Sequence, residues 1–144
     1  MESVGVNKFN VADKIIGGQN SCIVAIKNDT VEVNINGGDP YFYFGGDMPY
    51  GDYYYYSFTN NGGRCDMWVA HTDGTSASIL RGKGEKFTYS PNDATHFEIE
   101  EYANQTYEVQ IMWTKEPLEK VEFIPYFRNT FPIPEAVQNL DGYG

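Results

Sequence analysis

The sequence has few of the residues from which disulfide frameworks and zinc sites are built. It holds two cysteines and two histidines among 144 residues. Two thiols make no disulfide framework, and Cys22, Cys65, His71 and His96 are too scattered for a zinc signature. We expect both thiols to be free, because synthesis in the cytosol favours the reduced form.

Basic residues and long apolar runs are also scarce. Ten lysines and arginines stand against 20 acidic residues, and the formal net charge is −10. Such a chain repels phosphate backbones and anionic membrane surfaces, so we expect no nucleic-acid partner. No apolar run approaches the ~20 residues that span a bilayer, so no membrane insertion is expected. The opening residues MESVGVNKFN show no signal peptide, which predicts synthesis in the cytoplasm.

Motifs for catalysis and phosphate binding are missing too. The sequence contains no G-x-S-x-G, no phosphate loop and no G-x-G-x-x-G. Composition alone supplies candidates for a nucleophilic triad, namely His71, His96, Cys65, Ser57 and Asp66. Since no local signature groups these residues, we expect the protein not to be an enzyme.

The chain does contain many short runs in which apolar and polar residues alternate. The clearest stretch is 106–126, TYEVQIMWTKEPLEKVEFIPY, where alternate residues from Tyr107 to Trp113 share one face. Pro117 ends this run, and the alternation restarts towards Phe123. The stretch therefore predicts two strands, of which the first needs a second sheet to cover its inner face.

The spacing of these runs predicts the fold. About nine or ten short strands, with no helical period before the tail, indicate an all-β, two-sheet antiparallel β-sandwich or jelly roll. We expect residues 21–128 to form this domain. Residues 1–20 are interpreted as a lead-in segment, and residues 129–144 as a C-terminal linker towards a following module.

The alternation also predicts which side chains point inwards. In the tyrosine-rich run, placing Phe58 inside puts Tyr54 and Tyr56 inside and leaves Tyr53 and Tyr55 outside. The predicted core contains Val24, Ile26, Val33, Ile35, Phe42, Phe44, Tyr56, Phe58, Met67, Val69, Phe87, Phe97, Ile99, Val109, Ile111 and Phe123.

Several of these runs resemble one family when they are taken in order. QIM at 110–112 followed by FIPY at 123–126 resembles the closing strands of carbohydrate-binding-module-like jelly-roll domains. Such domains occur in tail proteins of bacteriophages and prophages of Gram-positive bacteria. NKFN at 7–10 resembles their opening motif, and GDYYYYSF at 51–58 resembles their G-x-Y-x-x-S-F strand. The segment 131–144 is similar to the linker that follows such a domain.

The resemblance implies a non-enzymatic accessory domain of a baseplate or tail-fibre protein. Its expected roles are binding of host cell-surface glycan and packing within the tail assembly. The expected partners are host cell-wall glycan and other tail subunits, with a homo-oligomer in the intact particle. The expected location is the virion tail, after synthesis in the cytoplasm of the bacterial host. The alternative is a small β-sandwich hydrolase that acts on cell-wall polysaccharide.

Aromatic side chains that point outwards are the candidate binding residues. A flat ring beside polar groups complements the apolar face and the hydroxyl rim of a sugar, although a subunit contact uses the same chemistry. Because the 60–63 turn joins two runs, we expect Tyr55 to lie opposite Trp68. The candidate residues for glycan or subunit contact are Tyr41, Tyr43, Tyr53, Tyr55, Arg64, Asp66 and Trp68.

Acidic residues in loops and on one strand give two further expectations. Asp39, Asp47, Asp52 and Asp73 lie in glycine-rich loops. Carboxylates there suit a structural calcium ion, and ordinary turn aspartates are the alternative. Glu98, Glu100 and Glu101 are interpreted as a solvated strand face, which is destabilised by like charges unless a basic residue lies opposite.

Overall fold

The computed structural model shows an all-β protein in which two antiparallel five-stranded sheets pack as a sandwich, as the sequence predicts. It describes residues 6–18, 22–45, 48–72, 74–90 and 93–126, without the side chain of Ile16. The elements are α1 Val11–Lys14, β1 Ile15–Gly18, β2 Cys22–Lys27, β3 Thr30–Ile35, β4 Tyr41–Phe44, β5 Gly51–Thr59, β6 Arg64–Ala70, β7 Ser78–Leu80, β8 Lys83–Tyr89, β9 Ala94–Glu100 and β10 Thr106–Thr114. Sheet A has the order β1-β4-β9-β6-β7, and sheet B has the order β2-β3-β10-β5-β8. No helix in the described part of the chain is long and apolar enough to cross a membrane.

Strand β10 is the centre of sheet B, and its inner face carries the largest core side chain. Trp113 is fully buried and contacts five other aromatic rings at centroid distances of 4.8 to 5.7 Å. These rings belong to Phe9, Phe44, Tyr53, Phe87 and Tyr89. The aromatic composition therefore serves the core, where large rings bury much apolar area.

The sandwich begins earlier in the chain than predicted. Phe9 and Val11 are buried in the core, and β1 pairs with β4 at the edge of sheet A. The side chain of Asn7, 1% exposed, accepts hydrogen bonds from the backbone N–H groups of Phe9 and Trp113. The segment interpreted as a lead-in is therefore part of the domain. The predicted linker lies outside the described residues.

Strand β5 has the opposite orientation to the one predicted. Tyr53 and Tyr55 are 2% and 0% exposed and belong to the core, whereas Tyr56 lies on the outer face of sheet B. The Tyr55 hydroxyl donates to the backbone oxygen of Cys65, 2.9 Å away, which holds the ring inside the sandwich. Because four consecutive tyrosines place equal aromatic area on both faces, alternation cannot distinguish one face from the other.

The turn after β5 also differs from the prediction, because β5 and β6 lie in different sheets. Asn60 accepts from the Glu108 backbone N–H at 2.7 Å, and the Asn61 amide donates to the Thr106 backbone oxygen at 3.1 Å. These side chains fix the turn against β10 and direct the chain across to sheet A. Tyr55 and Trp68 are consequently not cross-strand neighbours.

The predicted second strand near Phe123 is not formed. Residues 115–126 instead cross the outer face of sheet B without joining a sheet. The Tyr56 hydroxyl accepts from the Leu118 backbone N–H at 2.8 Å, and the rings of Phe58 and Phe123 are 6.1 Å apart. This segment, called the cover below, explains why Met112 is fully buried although it points away from the core.

Most of the predicted core is confirmed. Thirteen of its sixteen residues are buried in the main cluster or pack partly buried against it. They are Val24, Ile26, Val33, Ile35, Phe42, Phe44, Met67, Val69, Phe87, Phe97, Ile99, Val109 and Ile111. Tyr56 is buried as predicted, but on the outer face of sheet B, whereas Phe58 and Phe123, which contact each other on that face, are wrong as core residues.

Candidate functional site

The outer face of sheet A brings aromatic side chains from neighbouring strands into one row. Cross-strand pairing aligns Tyr43 of β4 with His96 of β9, His96 with Trp68 of β6, and Trp68 with Ile79 of β7. Tyr43, His96 and Trp68 are partly exposed, and Ile79 is 44% exposed. The row therefore presents rings that a ligand can reach.

The rings in this region also touch one another. The Trp68 and His96 rings stack at a centroid distance of 5.6 Å and an interplanar angle of 16°. On the other side of the imidazole, the Tyr41 ring lies 4.8 Å away at 36°. His96 Nε2 is 3.1 Å from a carboxylate oxygen of Glu98, which fixes the orientation of the imidazole. The stacked rings form a surface whose parts are held in place before any ligand arrives.

A second row of charged groups runs beside the aromatic row. Pairing aligns Tyr41 with Glu98 and Glu98 with Asp66. Asp66 is 2% exposed, and Arg64 holds its carboxylate through two hydrogen bonds of 2.7 and 3.2 Å. Arg81 donates a third hydrogen bond of 3.2 Å to the same carboxylate. Asp66 thus orients two guanidinium groups at the edge of the ring surface, where they retain further donors.

The electrostatic environment of this face is acidic despite the two arginines. Partial burial and a hydrogen bond with Glu98 raise the pKa of Glu100. The Glu98 charge also raises the pKa of the Tyr41 hydroxyl. Arg64 lies opposite Glu100 and forms an ion pair with Glu101 at 3.2 Å. The glutamates therefore belong to a network of charges and are not a solvated face alone.

Five of the seven predicted site residues share this face, which we call the platform. They are Tyr41, Tyr43, Arg64, Asp66 and Trp68. Tyr53 and Tyr55 are wrong as surface residues, since both are buried on the other sheet. His96, Glu98 and Glu100 complete the platform. The alternation in β9 already placed Glu98 and Glu100 outwards, but only the pairing of β9 between β4 and β6 makes these residues and His96 part of the site.

The triad candidates from the sequence do not assemble. Ser57 donates to the backbone oxygen of Cys65 at 2.8 Å, while His96 belongs to the platform. Both cysteines are buried and free. Burial raises the pKa of Cys22 to about 11 and raises that of Cys65 further. Both thiols are therefore protonated near neutral pH, which makes them poor nucleophiles.

A different serine, histidine and aspartate do come together beside β7. Nε2 of His71 is 2.8 Å from the Ser78 hydroxyl oxygen, and Nδ1 is 3.3 Å from an oxygen of Asp93. The same aspartate oxygen accepts from the backbone N–H of Ser90 at 3.2 Å. This order of contacts is that of a catalytic triad. The same contacts also tie β7 to the turn between β8 and β9. This structural role is enough to explain them without catalysis.

The loop aspartates proposed for calcium do not form a cluster in the described residues. Asp52 pairs with Thr88 at 2.7 Å and Lys86 at 3.6 Å, and Asp39 occupies a turn with φ 56°. Asp47 and Asp73 lie outside the described residues. Within the described ranges, no three His, Cys, Asp or Glu side chains are grouped to hold a metal ion.

Comparisons with known proteins add no relative. A scan against protein-family models gives no match, and searches of curated proteins and of solved structures give none either.

Proposed function

We propose that the protein is a non-enzymatic accessory domain of a phage-type tail protein and that it binds host cell-surface glycan on the platform. The assignment to a virion tail is based on the ordered sequence motifs at 7–10, 51–58, 110–112 and 123–126. The observation that supports glycan binding is that the stacked Trp68 and His96 rings share one accessible face with oriented guanidinium and carboxylate groups.

The chemistry of the platform fits a sugar ring. Apolar C–H faces of a sugar pack on aromatic rings, and the surrounding hydroxyls exchange hydrogen bonds with charged side chains. Arg81, whose side chain is 52% exposed, offers donors, and Glu98 offers an acceptor in the row beside the rings. Asp66 already orients the Arg81 guanidinium, and Glu98 already orients the His96 ring. Binding therefore requires little further ordering of these side chains.

The test compares Trp68→Ala with Tyr50→Ala in pull-downs and titrations with purified cell-wall glycan. Tyr50 is 63% exposed, lies outside the platform and provides the matched aromatic control. We expect Trp68→Ala to weaken binding by about 1 kcal/mol or more, since a stacking surface is lost. The control should bind like the wild type. Unchanged glycan binding by Trp68→Ala, with the fold intact, would contradict the proposal.

Packing within the tail assembly is the companion role, and the exposed Ile79 beside Trp68 supports it. An apolar residue at the edge of an aromatic face is typical of subunit contacts. If the platform joins copies of this chain, Ile79→Asp should shift the mass in solution towards smaller species. If the wild type is a monomer at all concentrations, self-association through this face is excluded.

A small β-sandwich hydrolase remains the second candidate, and the Ser78, His71 and Asp93 contacts favour it. Such a triad would cleave an ester substituent on a polysaccharide in two steps. The Ser78 oxygen would take the acyl group while His71 passes the serine proton to the departing sugar hydroxyl, and water would then release the acid. A fluorophosphonate probe followed by intact-mass measurement tests this candidate. Labelling of the wild type but not of Ser78→Ala would favour hydrolysis, and no labelling of either would leave binding as the function.

A further inference from the structure

A cleft of about 560 Å³ lies at the end of the sandwich and shares no residue with the platform. The segment before α1, the start of β5 and the residue after β10 surround it. Its lining residues are Asn7, Lys8, Asn10, Asp13, Lys14, Met48, Pro49, Tyr53, Lys115 and Tyr126. The volume is in the range of pockets that bind small molecules.

The cleft concentrates positive charge in an acidic protein. Three of the ten basic residues of the chain, Lys8, Lys14 and Lys115, line it, and Asp13 is the one acidic residue among the lining residues. The formal charge of the lining is therefore +2, although the whole chain carries −10. Close charges dominate over distant ones, because charges separated by more than about 8–10 Å are screened at ordinary salt concentrations.

Lys115 is held in position over an aromatic ring. Its ammonium nitrogen is 4.0 Å from the centroid of Tyr53, close enough for a cation–π contact. Tyr53 is itself fixed, since its hydroxyl donates to the Pro49 backbone oxygen at 2.7 Å and its ring packs on Trp113. A hydrogen bond from Thr88 lowers the pKa of the nearby Asp52 carboxylate, and the charges of Lys86 and Lys115 lower it further. A ring contact leaves the ammonium hydrogens able to donate to a ligand.

The segment before α1, which also lines the cleft, has an anchored backbone. The Lys8 backbone N–H donates to the Trp113 oxygen at 2.8 Å, and the Asn7 amide donates to the Ile124 oxygen at 2.9 Å. These bonds fix the backbone from which the exposed Lys8 side chain projects. The two ammonium groups therefore extend from fixed positions on a strand end and on an anchored segment. Fixed positions lower the entropic cost of binding.

We propose that this cleft is a second binding site, for a compact oxyanion such as the phosphate or carboxylate group of a small molecule or polymer. Lysine ammonium groups donate charge-assisted hydrogen bonds to such anions. The ring of Tyr53 and the side chain of Met48 add apolar surface for the carbon skeleton that carries the anion. The cleft would bind an anionic group, whereas the platform is suited to the hydroxyl groups of a sugar.

The experiment titrates the full chain with inorganic phosphate, glycerol phosphate, glucuronate and uncharged glucose at low salt, and reads binding by nuclear magnetic resonance or calorimetry. We expect the three anions to shift the resonances of the residues that line the cleft, glucose to leave those resonances unchanged, and affinity for the anions to fall as salt rises. Tighter binding of glycerol phosphate than of inorganic phosphate would identify a phosphate with a carbon skeleton as the ligand. Tighter binding of glucuronate would identify a carboxylate. Equal binding of glucose and the anions in the cleft would overturn the proposal.

Two variants locate the site. Replacing both Lys8 and Lys115 with Gln should weaken anion binding at least about tenfold, because charge-assisted hydrogen bonds are lost. Lys27→Gln is the matched control, since Lys27 pairs with Glu32 away from the cleft. Equal losses in the double variant and in the control would show a non-specific charge effect and overturn the proposal. Trp68→Ala should leave anion binding unchanged, so failure of this site is distinguishable from failure of the platform.

Discussion

The two outer faces of the sandwich carry similar aromatic and apolar residues, but these residues are buried on sheet B and partly exposed on sheet A. On sheet B, Tyr56 and Met112 point away from the core and are nevertheless 2% and 0% exposed. On sheet A, Tyr43 and Trp68 also point away from the core and remain partly exposed. The difference comes from the cover, residues 115–126, which crosses sheet B and binds Tyr56 through Leu118.

The comparison shows that aromatic residues on an outer sheet face do not by themselves indicate a ligand site. The cover turns the outer face of sheet B into a second layer of packing. On the same face, Gly84 of β8 lets the Tyr56 ring pack closely, because a Cβ atom at that position would lie 2.9 Å from the ring. The platform keeps its rings accessible and surrounds them with ion pairs. Accessibility together with oriented polar groups is therefore the feature that distinguishes it.

The largest expected effect tests whether sheet B is packed on both faces. Ile111 and Met112 are adjacent in β10, point to opposite faces and are both fully buried. We expect Ile111→Ala and Met112→Ala each to lower the free energy of unfolding by about 2–5 kcal/mol. Denaturant unfolding measures both changes. A loss below about 0.5 kcal/mol for Met112→Ala alone would show that the cover does not pack on sheet B.

A smaller loss of stability is expected on the platform. Trp68 is only partly buried, so Trp68→Ala should lower the free energy of unfolding by no more than about 1.5 kcal/mol. Thermal and denaturant unfolding provide the measurement, with Met112→Ala as the comparison. If Trp68→Ala lowers the free energy of unfolding as much as Met112→Ala, the two outer faces are equally packed. That result would contradict the platform as a binding site.

The contact between the cover and sheet B can be weakened without creating a cavity. Tyr56→Phe removes the hydroxyl that accepts from the Leu118 backbone N–H and keeps the ring. We expect a loss of about 0.5–1.5 kcal/mol, the usual net value of such a hydrogen bond. Hydrogen exchange at Leu118 should become faster in the same variant. Unchanged exchange there would argue that other contacts hold the cover.

The smallest effect concerns the charges of the platform. The pKa of Glu100 is raised from its ordinary value of 4.5, so its ionised form destabilises the native state at neutral pH. Glu100→Gln should therefore stabilise the protein at pH 7 by roughly 0.2–1 kcal/mol. As pH falls through the raised pKa towards 4.5, native Glu100 binds a proton first and the advantage should disappear. A gain that is constant from pH 7 to pH 4 would contradict this electrostatic account.

Local pattern predicts the strands well, and it fails where the decision depends on distant residues. Alternation placed Met67 and Val69 of β6 and Phe97 and Ile99 of β9 on the correct face, because the opposite face of each strand carries charged residues. In β5 both faces are aromatic, so the choice depended on which sheet and which cover each face would meet. That information lies in sequence-distant contacts and not in the run itself.

The two other errors have the same origin. The turn at 60–63 has the composition of a hairpin, but the side chains of Asn60 and Asn61 bind β10, some 45 residues away. Phe123 alternates like a strand residue, yet the preceding strand β10 cannot pair with its segment, because β10 is already paired with β3 and β5. The platform residues on β4 and β6 could be predicted from the sequence. Assigning the β9 residues to the platform required knowledge of the strand order in sheet A.

The position of β10 between β3 and β5 has a consequence for how the protein folds. Both of its partners precede it by roughly 50 residues or more, so sheet B cannot be completed until most of the chain has been synthesised. Closing such long loops is slow, and we expect refolding on the millisecond to second scale typical of β-sandwiches. Until β10 arrives, the edges of β3 and β5 that it will occupy are open to pairing with other chains. Aggregation during synthesis should therefore be more severe in variants that weaken β10 than in variants of equal stability elsewhere.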